Sequence, residues 1–238
     1  MAIPVSLPQN GRVVIVLTGA LGDVARGIIV PSLIKQSRPD VSITWVVEKK
    51  WSPVVRLCPA VDSVIEFDRA RGLQGFLALW RELRSAHLFD VGIDLQRHFK
   101  SGVFTRLTRA RFRLAFHPLD GKEGNWIFNN RYIGRINNNE SKVLHYLKFV
   151  ERLGLAVHEE PNFLVDIERC KQAAARFHSQ VTEPFIVCVL GTSWATKNWV
   201  EGGYSELLKK LHEHVGRRVV LVGDKTQVEL AGRLELLG

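Results

Sequence analysis

The chain has 238 residues, 46% of them apolar and 24% charged, and its 33 Lys and Arg against 24 Asp and Glu give a formal charge of +9. This is a soluble globular composition, long enough for one large domain or two small ones, and its basic balance points to an anionic partner: nucleic acid, an acidic membrane surface or a phosphorylated substrate. No apolar run approaches the roughly 20 residues that span a bilayer, the opening MAIPVSLPQNGR is not a signal peptide, and three scattered cysteines, Cys58, Cys170 and Cys188, argue for a reducing compartment.

In chain order, residues 12–18 (RVVIVLT) predict the first strand. The stretch TGALGDVARG follows, a small-residue turn that opens a helix over 23–37, with Pro31 expected to kink it. Asp23 has two readings there. It caps the free N–H groups of the helix, or it is a catalytic base exposed at the carboxyl end of a strand. Further strands are predicted at 41–47, 63–67, 91–95 and 113–116, with helices at 50–57, 72–85 and 101–108. Several strands are apolar nearly throughout, as expected where both faces are covered. Residues 118–140, rich in Gly and Asn, read as a long loop, followed by a helix at 141–153 and a connector. A helix at 167–178, strands at 185–190 and 218–222, and helices at 204–214 and 227–236 complete the chain. Strand–helix alternation implies parallel sheets built from βαβ units. The boundary falls near residue 175, giving domains at 1–175 and 176–238, the second too short for a doubly wound domain of about 100 residues.

Three stretches could carry chemistry. Residues 95–119 hold Arg97, Lys100, Arg106, Arg109, Arg111 and Arg113 with no Asp or Glu, and His98 and His117 add donors. Such a run suits phosphate or carboxylate; the alternative is a basic surface paired with acids from elsewhere. After the strand at 185–190, Gly191 permits a tight turn, and Thr192, Ser193, Thr196 and Lys197 offer hydroxyls and a cation to a diphosphate, or form a solvated polar loop. It is not a Walker loop. After the last strand, Gly223 permits a turn, Asp224 is placed to cap the last helix, and Glu229 faces either a ligand or solvent. Trp45 and Trp80 fit core patterns, Trp194 and Trp199 flank Lys197, and no His spacing suggests a metal.

Taken together, GALGDVARGIIVPSL, ITWVVEKKWSPVVRLCPAVDSVI, FDVGIDLQRHFKSGVFTRLTRA and VLGTSWATKNWVEGGYSELLKKL resemble the ADP-heptose:lipopolysaccharide heptosyltransferases of glycosyltransferase family 9, the first-heptose type most of all. The resemblance implies a GT-B architecture: a Rossmann-like N-terminal domain on the acceptor side, then a second, incomplete Rossmann-like domain that binds the nucleotide sugar. It implies inverting transfer of heptose from ADP-heptose to the Kdo-bearing inner core, with Asp23 as general base. Thr192, Ser193, Lys197, Gly223 and Glu229 would be on the donor side. Arg97, Lys100, Arg106 and His117 would meet the anionic acceptor. No cofactor beyond the donor substrate is implied. The location implied is cytoplasmic, in peripheral contact with the inner membrane. The family's later Asp-Thr-Gly-x-x-His motif is not met before Gly238, so a C-terminally truncated chain of reduced or no activity is expected. A non-catalytic module for an anionic glycolipid and a basic nucleic-acid-binding protein are the alternatives.

Overall fold

In a computed structural model, residues 4–157, 162–178, 183–192 and 195–235 are described. The chain divides into two compact units, Met1–Arg169 and Cys170–Gly238.

The first unit is a six-stranded sheet. Its strands are β1 (Arg12–Val16), β2 (Ser42–Glu48), β3 (Ser63–Phe67), β4 (Val91–Asp94), β5 (Phe112–Ala115) and β6 (Arg131–Tyr132). They lie in the order β3-β2-β1-β4-β5-β6, all parallel. The helices are α1 (Leu21–Gly27), α2 (Ile29–Ser37), α3 (Ser52–Val55), α4 (Gly72–Ser85), α5 (Phe99–Leu107) and α6 (Lys142–Arg152). This is the doubly wound Rossmann order, which reverses direction between β1 and β4 and opens a crevice at their carboxyl ends.

Alternation along β1 shows why the strands are apolar on both faces. Val13 and Ile15 enter one core with Ile29, Leu33, Trp45 and Phe149, while Val14 and Val16 enter another with Leu79, Leu83 and Phe104. Two glycines lie at close approach between the sheet and its helices. A Cβ on Gly27 would lie 2.7 Å from Leu17 Cδ2 and 3.1 Å from Trp45 Cη2, and one on Gly92 would meet Ala110 and Thr105 at 3.1 and 3.2 Å. Trp45 is fully buried, and its indole N–H donates to the Leu17 carbonyl at 3.1 Å.

Two details differ from the sequence expectation. The helix predicted at 23–37 is two helices that meet at Ile28, the C-cap of α1 and N-cap of α2. Pro31 therefore sits in the first turn of α2, where its missing N–H costs no intrahelical bond. The loop predicted at 118–140 contains a short 3-10 turn, Asn125–Phe128, and the edge strand β6. Two residues are too few to show alternation, and long-range bonds hold them: Arg113 N donates to Asn130 Oδ1 at 2.8 Å, and Ile133 N to the Ala115 carbonyl at 2.9 Å.

In the second unit, β7 (Phe185–Val189) and β8 (Arg218–Val222) form a parallel pair, with α8 (Glu201–Val215) and α9 (Val228–Glu235). A further helix, α7 (Ile167–His178), spans the division between the units. Among the described residues, Leu190, Tyr204 and Leu234 are the fully packed apolar centre of this unit. Asp224 caps the turn that enters α9, as expected: its carboxylate accepts from Thr226 N at 2.7 Å, and Gln227 completes a capping box. No helix among the described residues is long and apolar enough to cross a membrane.

Candidate active site

The crevice between β1 and β4 holds a small polar recess of about 100 Å³. Leu17, Gly19 and Asp23 line it from the β1–α1 turn, Gln96, Arg97 and His98 from the β4–α5 turn, Lys122 from the long connection, and Lys142, His145 and Tyr146 from α6.

Asp23 is not the helix cap. Ala20 occupies the N-cap of α1 without a side-chain bond, and Asp23 is the third helical residue. Its own N–H is satisfied by the Ala20 carbonyl at 2.9 Å. A carboxylate in the first turn still favours the positive end of the helix dipole. The side chain is thereby free of capping and turns to two cations. Oδ1 accepts from Arg26 Nη1 at 2.9 Å and from Lys142 Nζ at 2.6 Å. Tyr146, one turn beyond Lys142, is pushed up from the usual phenol range by burial and then by the charge of Asp23.

Below the recess lies a buried polar pin. Asp94, fully buried at the end of β4, accepts from Gln96 N at 2.9 Å, Ser101 Oγ at 3.0 Å and Asn125 Nδ2 at 2.6 Å. Desolvation pushes its carboxyl up and outweighs these donors. The Gln96 side chain then spans to β1, accepting from Thr18 N at 2.9 Å and Thr18 Oγ1 at 2.7 Å, and donating to the Gly19 carbonyl at 3.3 Å.

The acid-free basic run does not form one patch. Arg97 lines the recess and lies over the Phe116 ring at 5.0 Å. Lys100 instead faces Glu48 at the end of β2, at 3.5 Å. Burial lowers the Lys100 amine, and the Glu48 charge opposes that. Lys50 and Arg69 also approach the buried Glu48 carboxylate, each at 3.7 Å, and with Phe67 and Asp68 they line an open groove of about 570 Å³. Arg106 is exposed on α5, near Arg113, while His117 lines a third hollow beside β6 with Arg131 and Arg135. Arg109 and Arg113 donate to backbone carbonyls, Arg109 to Arg84 and Ala86, Arg113 to Phe128 and Ala110. The structure thus brings Asp23 and Arg97 together and puts Lys100, Arg106 and His117 elsewhere.

In the second unit Gly191 and Gly223 follow the carboxyl ends of β7 and β8. Gly191, at φ +72°, and Gly223 both lie against Gln227, and a Cβ on either would come within 3.0 Å of that side chain. Thr192 donates from N and Oγ1 to Asn198 Oδ1, at 2.6 and 3.0 Å. Lys197 is exposed in a 3-10 turn, and Glu229 is exposed in the first turn of α9. Ser193 and Trp194 lie outside the described residues. Trp199 packs across Gly203 and edge-on to Tyr204, with ring centroids 5.0 Å apart.

The sequence reading missed Lys142, Glu48 and Gln227. Lys142 and Glu48 each meet a partner many residues away. Gln227 carried a local signal, Asp224 three residues before it, which spells a capping box.

A sequence model of glycosyltransferase family 9 (heptosyltransferase) matches residues 76–237. The chain belongs to this family. Among curated proteins, it is 26% identical to the lipopolysaccharide core heptosyltransferase OpsX of Haemophilus influenzae over 82% of this chain and 55% of that protein. It is 26% identical to lipopolysaccharide heptosyltransferase 1 of Pseudomonas aeruginosa, over 94% of this chain and 64% of that protein. The chain therefore spans 55% and 64% of the length of these two relatives. Among solved structures, the E. coli heptosyltransferase WaaC with ADP matches with a TM-score of 0.75 and 25% identity, over 94% of this chain and 70% of that one. The fold is that of the GT-B heptosyltransferases of the family.

Proposed function

We propose that the chain carries the machinery for inverting transfer of a heptose from an ADP-sugar to an anionic lipopolysaccharide core. The observation that carries this reading is the position of Asp23: a carboxylate in a polar recess at the β1/β4 switch point of a family-9 fold. Asp23 takes the proton from the acceptor hydroxyl as that oxygen attacks the anomeric carbon of the donor. The C–O bond to the diphosphate breaks, and ADP leaves with the electron pair. The transition state is oxocarbenium-like.

Residues 1–175 supply the acceptor side in this proposal, and residues 176–238 the donor side. Arg97 in the recess, with Lys122 beside it, meets acidic groups of the acceptor. The groove beside Glu48, lined by Lys49, Lys50 and Arg69, takes a second anionic group. Arg106 and His117 lie farther along the same unit and are assigned only to outlying acceptor groups. Thr192, Ser193 and Lys197 hold the diphosphate, with Gly191 and Gly223 letting it approach the backbone, and Glu229 faces the sugar nucleotide. ADP as the nucleotide rests on the WaaC complex. Such an acceptor is lipid-anchored, so the reaction belongs in the cytoplasm against the inner membrane.

The test is ADP release from ADP-heptose with a Kdo-lipid A acceptor. Acceptor-dependent release by the wild-type chain that disappears in Asp23→Asn supports the reading. Release that is unchanged in Asp23→Asn overturns the assignment of the base.

A further inference from the structure

The stretch GIDLQ ends β4 with an acid and an amide two residues apart, and the proposed reaction uses neither. We infer that Gln96 is a positioning residue: it fixes the β1–α1 turn and thereby the place of Asp23, with Asp94 as its buried anchor. This inference rests on the reading of Asp23 as the base.

A chain of contacts crosses the switch point. Asp94 is fully buried and is held by Ser101 from α5 and Asn125 from the long connection. It takes the Gln96 N–H on its other oxygen, which fixes the backbone just past β4. The Gln96 amide then satisfies both donors of Thr18 and reaches the Gly19 carbonyl. Thr18 is fully buried, so its N–H would have no water to turn to if Gln96 were removed. Two residues past Thr18, Ala20 is the N-cap of α1, and Asp23 follows in the first turn. The turn contains Gly19 and has no side-chain cap of its own. The Thr18 carbonyl accepts from Glu48 N at 3.1 Å, so β2 and the β4 end hold the start of the turn from either side, and the side-chain bonds among these come from Gln96. Gln96 also lines the recess beside Asp23, so a shift of this amide changes the distance between the base and Arg97. A misplacement of about 1 Å is enough to cost on the order of 10²-fold in rate.

Two variants of the full chain separate positioning from general stability. Gln96→Leu removes all three side-chain bonds. Gln96→Glu keeps an acceptor for Thr18 and loses the donor to Gly19. Hydrogen exchange followed by mass spectrometry is expected to show peptides spanning residues 17–27 exchanging at least tenfold faster in Gln96→Leu, with β2 and α6 unchanged and Gln96→Glu intermediate. In the ADP-release assay, kcat is expected to fall about 10–100-fold in Gln96→Leu, with KM for donor and acceptor within twofold and partial recovery in Gln96→Glu. Unchanged exchange over 17–27 overturns the inference whatever the turnover. So does faster exchange with an unchanged kcat, provided Asp23→Asn is inactive. A wild-type chain that releases no ADP defeats the functional reading instead and leaves the exchange result to decide whether Gln96 holds the turn.

Discussion

Lys142 Nζ lies 2.6 Å from Asp23 Oδ1, although the two residues are 119 positions apart. The contact ties the first turn of α6 to the first turn of α1 and closes one side of the recess at the β1/β4 crevice. A cation beside the proposed base occupies one carboxylate oxygen in company with Arg26. The pair is partly solvated, with side-chain exposures of 43% and 25%, so its contribution to stability is small.

From that exposure, Lys142→Gln is expected to lower the melting temperature by no more than about 4 °C, the equivalent of about 1 kcal/mol in a chain of this size. Asp23→Asn is expected to leave the fold intact and to reduce turnover by about 10²–10⁴-fold, the usual range for a general base. Circular dichroism melts and the ADP-release assay check the two together. A collapse of the fold in Asp23→Asn would show that the carboxylate is structural.

The groove around Glu48 gives a prediction about the acceptor. Arg69 is exposed and sits at its rim. Arg69→Gln is expected to raise the acceptor KM by about tenfold, with the donor KM unchanged, because one charge-assisted contact is worth about 1.5 kcal/mol. An equal rise in both constants would remove the groove from the acceptor side.

Packing at Gly27 predicts a stability effect without a change in chemistry. A Cβ there meets Leu17 at 2.7 Å, and both Leu17 and Trp45 are buried in the core. Gly27→Val is expected to cost about 1–3 kcal/mol, read as a lower urea midpoint at unchanged slope. A neutral result would mean that α1 shifts freely on the sheet.

The pH dependence has a local contributor in Asp40. Hydrogen bonds from Arg38, then from the Asn10 N–H, hold this carboxyl well below the usual range. A folded-state pKa below the unfolded value means that the unfolded chain binds the proton first on acidification. The stabilisation is present above the unfolded pKa of about 4 and is lost as pH falls below it. Asp40→Asn is therefore expected to reduce the difference in melting temperature between pH 6 and pH 3. The same difference in the variant as in wild type would deny Asp40 a role in acid sensitivity.

The second unit is expected to be the less stable. Its packed centre among the described residues is Leu190, Tyr204 and Leu234, and Val187, Val189 and Val222 of its two strands are exposed. Leu234→Ala is expected to cost about 2–4 kcal/mol locally. Limited proteolysis should then cut within 185–235 while the 1–157 region persists. Simultaneous loss of both regions would show one cooperative transition.

Much of this architecture was legible along the chain. Strands at 63–67 and 218–222 and helices at 72–85 and 167–178 match their predicted limits, because β-branched runs and 3.6-residue periodicity are local properties. Asp23, Arg97, Gly191 and Gly223 stood out because turns at strand ends have a local signature. The sequence could not show that Asp23 is not the cap of α1, that Lys142 reaches it, or that Gln96 bonds to its turn from the neighbouring strand. Nor could it show that Lys100 is committed to Glu48 while Arg109 and Arg113 serve backbone carbonyls. The acid-free run looked like a single anion site because its counter-charges and carbonyl partners come from other segments. Local pattern determined the elements and the turn residues. The parallel order β3-β2-β1-β4-β5-β6 decided the partners, since placing β4 beside β1 joins two turns 70-odd residues apart in the chain. Hydrogen bonds and ion pairs form only between groups within about 3–4 Å, and that proximity belongs to the folded sheet rather than to any stretch of sequence.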